Sequence, residues 1–130
     1  MPYYSKSSKE KLETCHQDLQ TIFNYVIQIY DNTIVCGNRG EQEQNEAYDK
    51  GFSKLRYPKS KHNIKPSRAV DAVPYPIDWK DEKRFHELAG VVKATAFMLK
   101  KYGAINSEIE WGGDWKNFKD LPHYQLKTKI

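Results

Sequence analysis

The sequence predicts an α+β domain in which a small, mainly antiparallel sheet is backed by helices. Three observations carry this. Two long segments repeat apolar residues at spacings of three and four, as amphipathic helices do. Several short β-branched or alternating runs lie outside them, bounded by Gly, Pro and Asn. Finally, strict β-α-β repetition is missing. With 130 residues the chain is expected to form one domain, residues 1–130, with one core and one site.

Between Ser7 and Tyr30, the residues Leu12, Leu19, Ile22, Phe23, Val26, Ile29 and Tyr30 mark one helical face, with a break expected near His16 to Asp18. Cys15 lies close to that face. His16 reads as a helix-entry or surface residue, because no second metal donor stands four residues on. Thr33 to Gly37 is short and β-branched and is closed by Gly37-Asn-Arg-Gly40, so Arg39 sits at a strand end. Gly40 to Gly51 reads as a polar helix with an acidic first turn and Gly51 as its cap. Its apolar face is only Ala47 and Tyr48, which predicts a surface position.

Phe52 to Pro66 has no period; Pro58, Pro66 and the basic Lys54, Arg56, Lys59, Lys61 and Lys65 make it a surface loop. Ala69 to Val73 alternates as a strand with Asp71 at its centre, and a buried carboxylate there needs a partner, whether Arg68, another base or a metal. Asp78 or Asp81 can cap the next helix, along which Phe85, Leu88, Ala89, Val92, Ala96, Leu99 and Tyr102 recur up to Gly103. His86 falls on its polar side. Ile105 to Trp111 alternates again, Gly112-Gly-Asp-Trp115 reads as a turn, and Tyr124 to Leu126 is a last short extended piece.

The composition, 38% hydrophobic and 29% charged, fits a globular chain, and the net charge of +4 favours encounter with polyanions such as nucleic acid or an anionic cell wall. Cys15 and Cys36 lack CxxC spacing and read as free thiols of a reducing compartment. Neither a secretory apolar run nor a stretch of about eighteen apolar residues occurs, so no signal peptide and no membrane span are expected.

The residues with chemistry fall in two stretches, Ser60 to Asp71 and Trp111 to His123. Zinc takes imidazole nitrogen and carboxylate oxygen, and catalytic sites use three protein ligands with a fourth position open. His62, Asp71 and His123 would make such a set, although neither stretch is an HExxH helix pair and spacing alone leaves an ordinary loop open. Asp120, three residues before His123, is equally a turn former ahead of Leu-Pro or a carboxylate placed to act as a base.

Taken together, Ser60-Lys-His62, Ala69-Val-Asp71, Trp111-Gly-Gly-Asp-Trp115 and Asp120-Leu-Pro-His123 resemble the zinc peptidases of the D-alanyl-D-alanine carboxypeptidase and L-alanyl-D-glutamate endopeptidase type, closest in pattern to single-domain phage endolysins. The resemblance spans about Leu19 to Leu126. It implies the α+β fold shared with the Hedgehog signalling domain, zinc held by His62, Asp71 and His123, and Asp120 as catalytic base where vancomycin-resistance type D,D-dipeptidases carry Glu. It also implies that Arg39, in Gly37-Asn-Arg39, steadies the substrate carbonyl. Ser60, Trp111, Asp114 and Trp115 are the candidate substrate residues, with Tyr75 a further groove candidate; the three aromatics read equally as buried sheet-edge residues, and Asp114 as part of a plain turn. Two departures stand out: the His62 to Asp71 interval is two residues longer than in the commonest form of the motif, with Pro66 near where that form has Gly, and Gln125 stands where Glu is frequent.

The resemblance further implies hydrolysis of the peptidoglycan stem peptide, at the L-alanyl-D-glutamate bond, by a monomer that stays in the host cytoplasm until release to the wall at lysis. The alternatives are a D-Ala-D-Ala carboxypeptidase and a non-catalytic zinc-binding or nucleic-acid-binding module; no nucleic-acid partner is expected. The lysine-rich end, Lys127 to Lys129, reads as a solvated tail, with a contact to wall phosphates as the other reading.

Overall fold

The computed structural model describes residues 2–127. In chain order it contains α1 (Lys6–Leu12), α2 (Gln17–Val26), β1 (Asn32–Cys36), α3 (Glu41–Asp49), β2 (Ala69–Pro74), α4 (Glu82–Lys101), β3 (Ile109–Trp111) and β4 (His123–Leu126), with single 3-10 turns at Lys61–Asn63 and Gly112–Asp114. The four strands form one antiparallel sheet in the order β1-β2-β4-β3. An α+β domain with a small antiparallel sheet is therefore what the chain adopts. No helix among the described residues is long and apolar enough to cross a membrane. Lys127 is exposed, and the rest of the lysine-rich tail, 128–129, lies outside the described residues.

The periodic segment Ser7 to Tyr30 is two helices, broken at residues 13–16. The break anchors a distant loop: His16 N donates to Ser67 O at 2.8 Å, and Ser67 N donates to Thr14 O at 2.9 Å. His16 caps α2, its Nδ1 accepting from Asp18 N at 3.0 Å. Asp18 Oδ2 in turn accepts from Asn106 N, Ser107 N and Ser107 Oγ at 3.2, 3.1 and 2.6 Å, which ties the segment after α4 to α2. At α4 the N-cap is Asp81, but its side chain makes no capping bond. At the other end Gly103 takes a φ of +81°, the left-handed conformation that favours glycine after a helix.

The core lies between one face of the sheet and the pair α2–α4. Leu19, Ile22, Phe23 and Val26 meet Leu88, Ala89, Val92 and Ala96 over Ile34, Val70, Ala72, Tyr124 and Leu126. Each large side chain buried there stabilises the fold by about 1.5–3 kcal/mol relative to exposure. Strand alternation then turns Asp71, His123 and Gln125 onto the opposite face, away from the helices.

Tyr124 is fully buried and packs edge-on against Phe23 at 5.5 Å, yet its Oη has no hydrogen-bond partner among the described residues. Burial also raises its pKa. A hydroxyl desolvated without a partner costs about 1–3 kcal/mol. Tyr124→Phe should therefore raise the unfolding free energy by about 1 kcal/mol in urea titration; a loss of stability would show that the hydroxyl is satisfied.

Candidate active site

The sheet register assembles half of the site. On β2, Asp71 stands opposite Cys36 of β1 on one side and His123 of β4 on the other. A register shift between Ile34 and Cys36 brings Cys36 to that position. His62 comes from the 3-10 turn, whose shape is set by a reciprocal cap: Ser60 Oγ accepts from His62 N at 3.2 Å, and Asn63 Oδ1 accepts from Ser60 N at 3.0 Å. The turn is held against the end of β1, where Arg39 N and Asn38 Nδ2 donate to His62 O at 2.8 and 3.1 Å. The longer His62 to Asp71 interval does not disturb this, because Ser67 is fixed to the α1–α2 break and Arg68 N donates to Lys61 O at 3.1 Å.

Three donor atoms converge. His62 Nε2, Asp71 Oδ1 and His123 Nδ1 lie 3.2 Å from one another along every edge of a triangle. Tetrahedral zinc, with bonds of about 2.0–2.1 Å to nitrogen and oxygen, spaces its ligand atoms roughly 3.3 Å apart. The outward nitrogens have their own acceptors: His62 Nδ1 lies 2.8 Å from Gly37 O and His123 Nε2 lies 2.7 Å from Gln125 Oε1. With protons on those outward atoms, both inward lone pairs are free for a cation. This donor set fits zinc.

Cys36 was not singled out by its sequence, and its Sγ falls within 4.8 Å of donor atoms of His62 and Asp71. Sγ faces His62 Nδ1 at 3.8 Å and Gly37 O at 3.6 Å, so it flanks the outward nitrogen rather than joining the triangle. Only the strand pairing and its register shift reveal this position.

The electrostatics agree with a site built for positive charge. Burial disfavours a charged His62, but the Asp71 carboxylate beside it overrides burial and holds the His62 pKa up at about 10. Asp71 is half-buried and its desolvation opposes the charge, yet His62 and His123 keep it well below the usual carboxylate range. With no metal present, a proton on His62 supplies the cation, and a metal entering the triangle would have to displace it. Asp120 Oδ2 lies 3.9 Å from His123 Nδ1. Burial, and then the charge of Asp71, push its carboxyl up to about 6 against the pull of His123, His62 and Arg39. A carboxyl that titrates near neutrality can both take and give a proton.

Arg39 is also at the site, with Nη2 3.5 Å from Asp71 Oδ2 and Nη1 donating to Gln44 Oε1 at 2.9 Å. Gln44 is fully buried; its Oε1 also accepts from Asn63 Nδ2 at 3.2 Å, and its Nε2 donates to Ser53 Oγ and Leu55 O at 2.9 and 2.6 Å. α3 lies on the surface, as its thin apolar face predicts. Gln44, rather than Ala47 or Tyr48, is its buried side chain, and the helix holds Arg39 in place.

The loop after β3 depends on its two glycines. A Cβ on Gly112 would collide with Asp120 O and press on His123 Cβ, and one on Gly113 would enter the Trp111 ring. Trp111 is 4% exposed, with Nε1 donating to Leu121 O at 2.7 Å; it belongs to the core and not to the groove wall. Asp114 points away as well, paired with Lys93 at 2.6 Å. Ser60 is buried beneath His62 as its cap. Trp115 does lie at the centre, its ring 5.1 Å from that of His123. A groove of about 1140 Å³ runs past the triangle, with Arg39, Trp79, Trp115, Phe118 and Asp120 among its lining residues. Trp79, which stacks on Phe85, lines it with no motif in the sequence to mark it; Tyr75 does not line it.

The sequence model of phage L-alanyl-D-glutamate peptidases matches residues 2–129. The chain belongs to that family. Its structure is also similar to the crystal structure of the Serratia marcescens L-Ala D-Glu endopeptidase ChiX, with a TM-score of 0.78 and 26% sequence identity over 97% of this chain and 91% of that one. Membership in this peptidase family agrees with a groove beside buried, charge-coupled donors, and the α+β fold is common to both proteins.

The raised pKa of Asp120 has a consequence for stability. The unfolded carboxyl titrates near 3.8 and the folded one near 6, so the folded state holds the proton more tightly between those values. Stability of the chelator-treated peptidase should fall as pH rises from about 4 to 6 and stay reduced above, by on the order of 3 kcal/mol from this group. Asp120→Asn should remove the loss, making the metal-free protein more stable than wild type above pH 6 in chemical denaturation; equal pH profiles would refute the shift.

Proposed function

We propose that this peptidase is a zinc-dependent endolysin that cuts the L-alanyl-D-glutamate bond of the peptidoglycan stem peptide and reaches the wall at host lysis. The observation that carries the reading is the 3.2 Å triangle of His62 Nε2, Asp71 Oδ1 and His123 Nδ1, with Asp120 3.9 Å from one corner. In this reading His62, Asp71 and His123 are the metal ligands. Zinc held there supplies a Lewis acid for the scissile carbonyl and water acidified to near neutrality.

The chain's own groups supply the rest. Asp120 takes the proton of the attacking water on its carboxylate and returns it to the leaving amine, which its pKa of about 6 permits at neutral pH. Arg39, fixed by Gln44, aims positive charge at the carbonyl oxygen as it becomes an oxyanion. Trp115 offers an aromatic wall beside His123 for the peptide. The fold of the matched Serratia endopeptidase and the family both support the L-alanyl-D-glutamate bond as the target.

Mass spectrometry of products from purified walls, with and without chelator, tests the reading. Free stem peptides beginning at D-glutamate, formed only when zinc is present, are expected; release of D-alanine alone, or full activity in chelator, overturns it. Asp120→Ala should keep stoichiometric zinc and lower lysis by about 10²–10⁴-fold. Replacing His62, Asp71 or His123 by Ala should instead strip the metal, as elemental analysis would show. Arg39→Ala should lower kcat by about 10²-fold with zinc retained.

A further inference from the structure

His123 has two ways to bond its neighbours. Either Nε2 carries the proton and donates to Gln125, leaving Nδ1 with a lone pair, or Nδ1 carries it and donates to Asp71, which lies 3.2 Å away. Only the first form presents a lone pair to the triangle. A glutamine cannot choose between them unaided, since its amide can turn either its oxygen or its NH₂ to the ring.

Glu110 makes the choice. It stands directly opposite Gln125 in the β3–β4 register, and Gln125 Nε2 lies 2.7 Å from Glu110 Oε1. An ionised carboxylate only accepts, so the amide must point its NH₂ at Glu110 and its Oε1 at His123. That oxygen, 2.7 Å from Nε2, requires the proton there. His123 and Gln125 are two apart on β4 and so share the face that looks into the groove. Glu110 thus reaches the donor triangle through one amide and one ring.

We propose that Glu110, acting through Gln125, is a positioning residue that sets the tautomer of His123 and thereby the affinity of the site for zinc. This rests on the reading of His123 as a metal ligand. It also explains how glutamine serves at a position where a carboxylate would do the same work directly: the amide passes on the acceptor character of Glu110 and keeps its negative charge one residue further from the metal.

The test uses Glu110→Ala and the charge-conserving double exchange Glu110→Gln with Gln125→Glu. Two quantities are read on the full chain: the zinc dissociation constant by chelator competition, and the His123 tautomer from imidazole ¹⁵N shifts in chelator-treated protein. Glu110→Ala should populate the Nδ1-protonated form and weaken zinc binding by about 10–100-fold. The exchange places a pure acceptor on His123 and should restore the Nε2-protonated form and zinc affinity to at least the wild-type value. Near-UV circular dichroism establishes that each variant is folded, and the exchange carries the test should the alanine variant not be. Unchanged tautomer and zinc affinity in Glu110→Ala overturn the proposal, as does an exchange variant that is Nδ1-protonated or binds zinc 10-fold more weakly than wild type. Should wild type take up no zinc, the metal reading fails by itself, while the tautomer shifts still decide whether Glu110 controls His123.

Discussion

A carboxylate placed in the middle of a central strand is the constraint on which the rest of the structure depends. Asp71 is enclosed by β1 and β4, and desolvation alone would make its charge untenable. Its charge survives because His62, His123 and Arg39 are all delivered to it from separate segments. The connections reflect this. The α1–α2 break holds Ser67, the 3-10 turn holds His62 through Ser60 and Asn63, and Gly112 lets the loop carrying Asp120 fold tightly against His123.

The two site histidines and Arg39 each have a neutral hydrogen-bonding partner behind them. Gly37 O lies behind His62, Gln125 behind His123 and Gln44 behind Arg39. These partners direct protons and lone pairs without adding charge, so the balance at the triangle is left to Asp71 and the two imidazoles. Asp120 is the exception. It has only partial compensation, and its carboxyl is accordingly pushed toward neutrality by burial and by Asp71. A group so destabilised as an anion is suited to proton transfer, and the fold bears the energetic cost.

The same division appears in the sheet itself. One face is apolar and packs on α2 and α4 through Ile34, Val70, Ala72, Tyr124 and Leu126; the other carries the chemistry. A period of two along each strand is enough to separate them. Tyr124, adjacent to His123 in sequence, is therefore a core residue, its hydroxyl buried without a partner among the described residues. Membership in the phage L-alanyl-D-glutamate peptidase family connects this two-faced sheet to wall cleavage.

The sequence by itself determined the fold class, because the helix and strand periods of its apolar residues are local properties. The α2 and α4 faces and the β2 alternation around Asp71 are legible without contacts. It also named the residues that the structure gathers around Asp71, His62, His123, Asp120 and Arg39, because each sits in a short motif of distinctive residue types. What it left undecided depends on register and on which side of a loop faces inward. Gln44 on a polar helix, Cys36 beyond a register shift and the Glu110–Gln125 pair across two strands carry no local signature. The positions of Trp111 and Asp114 are undecided for the same reason: a Gly-Gly turn can send its flanking side chains to the groove, the core or solvent. Only the packing of the Trp111 ring over Gly113, with its Nε1 donating to Leu121 O, settles which. Strand pairing joins residues distant in sequence, so these contacts exist only once the tertiary structure has formed.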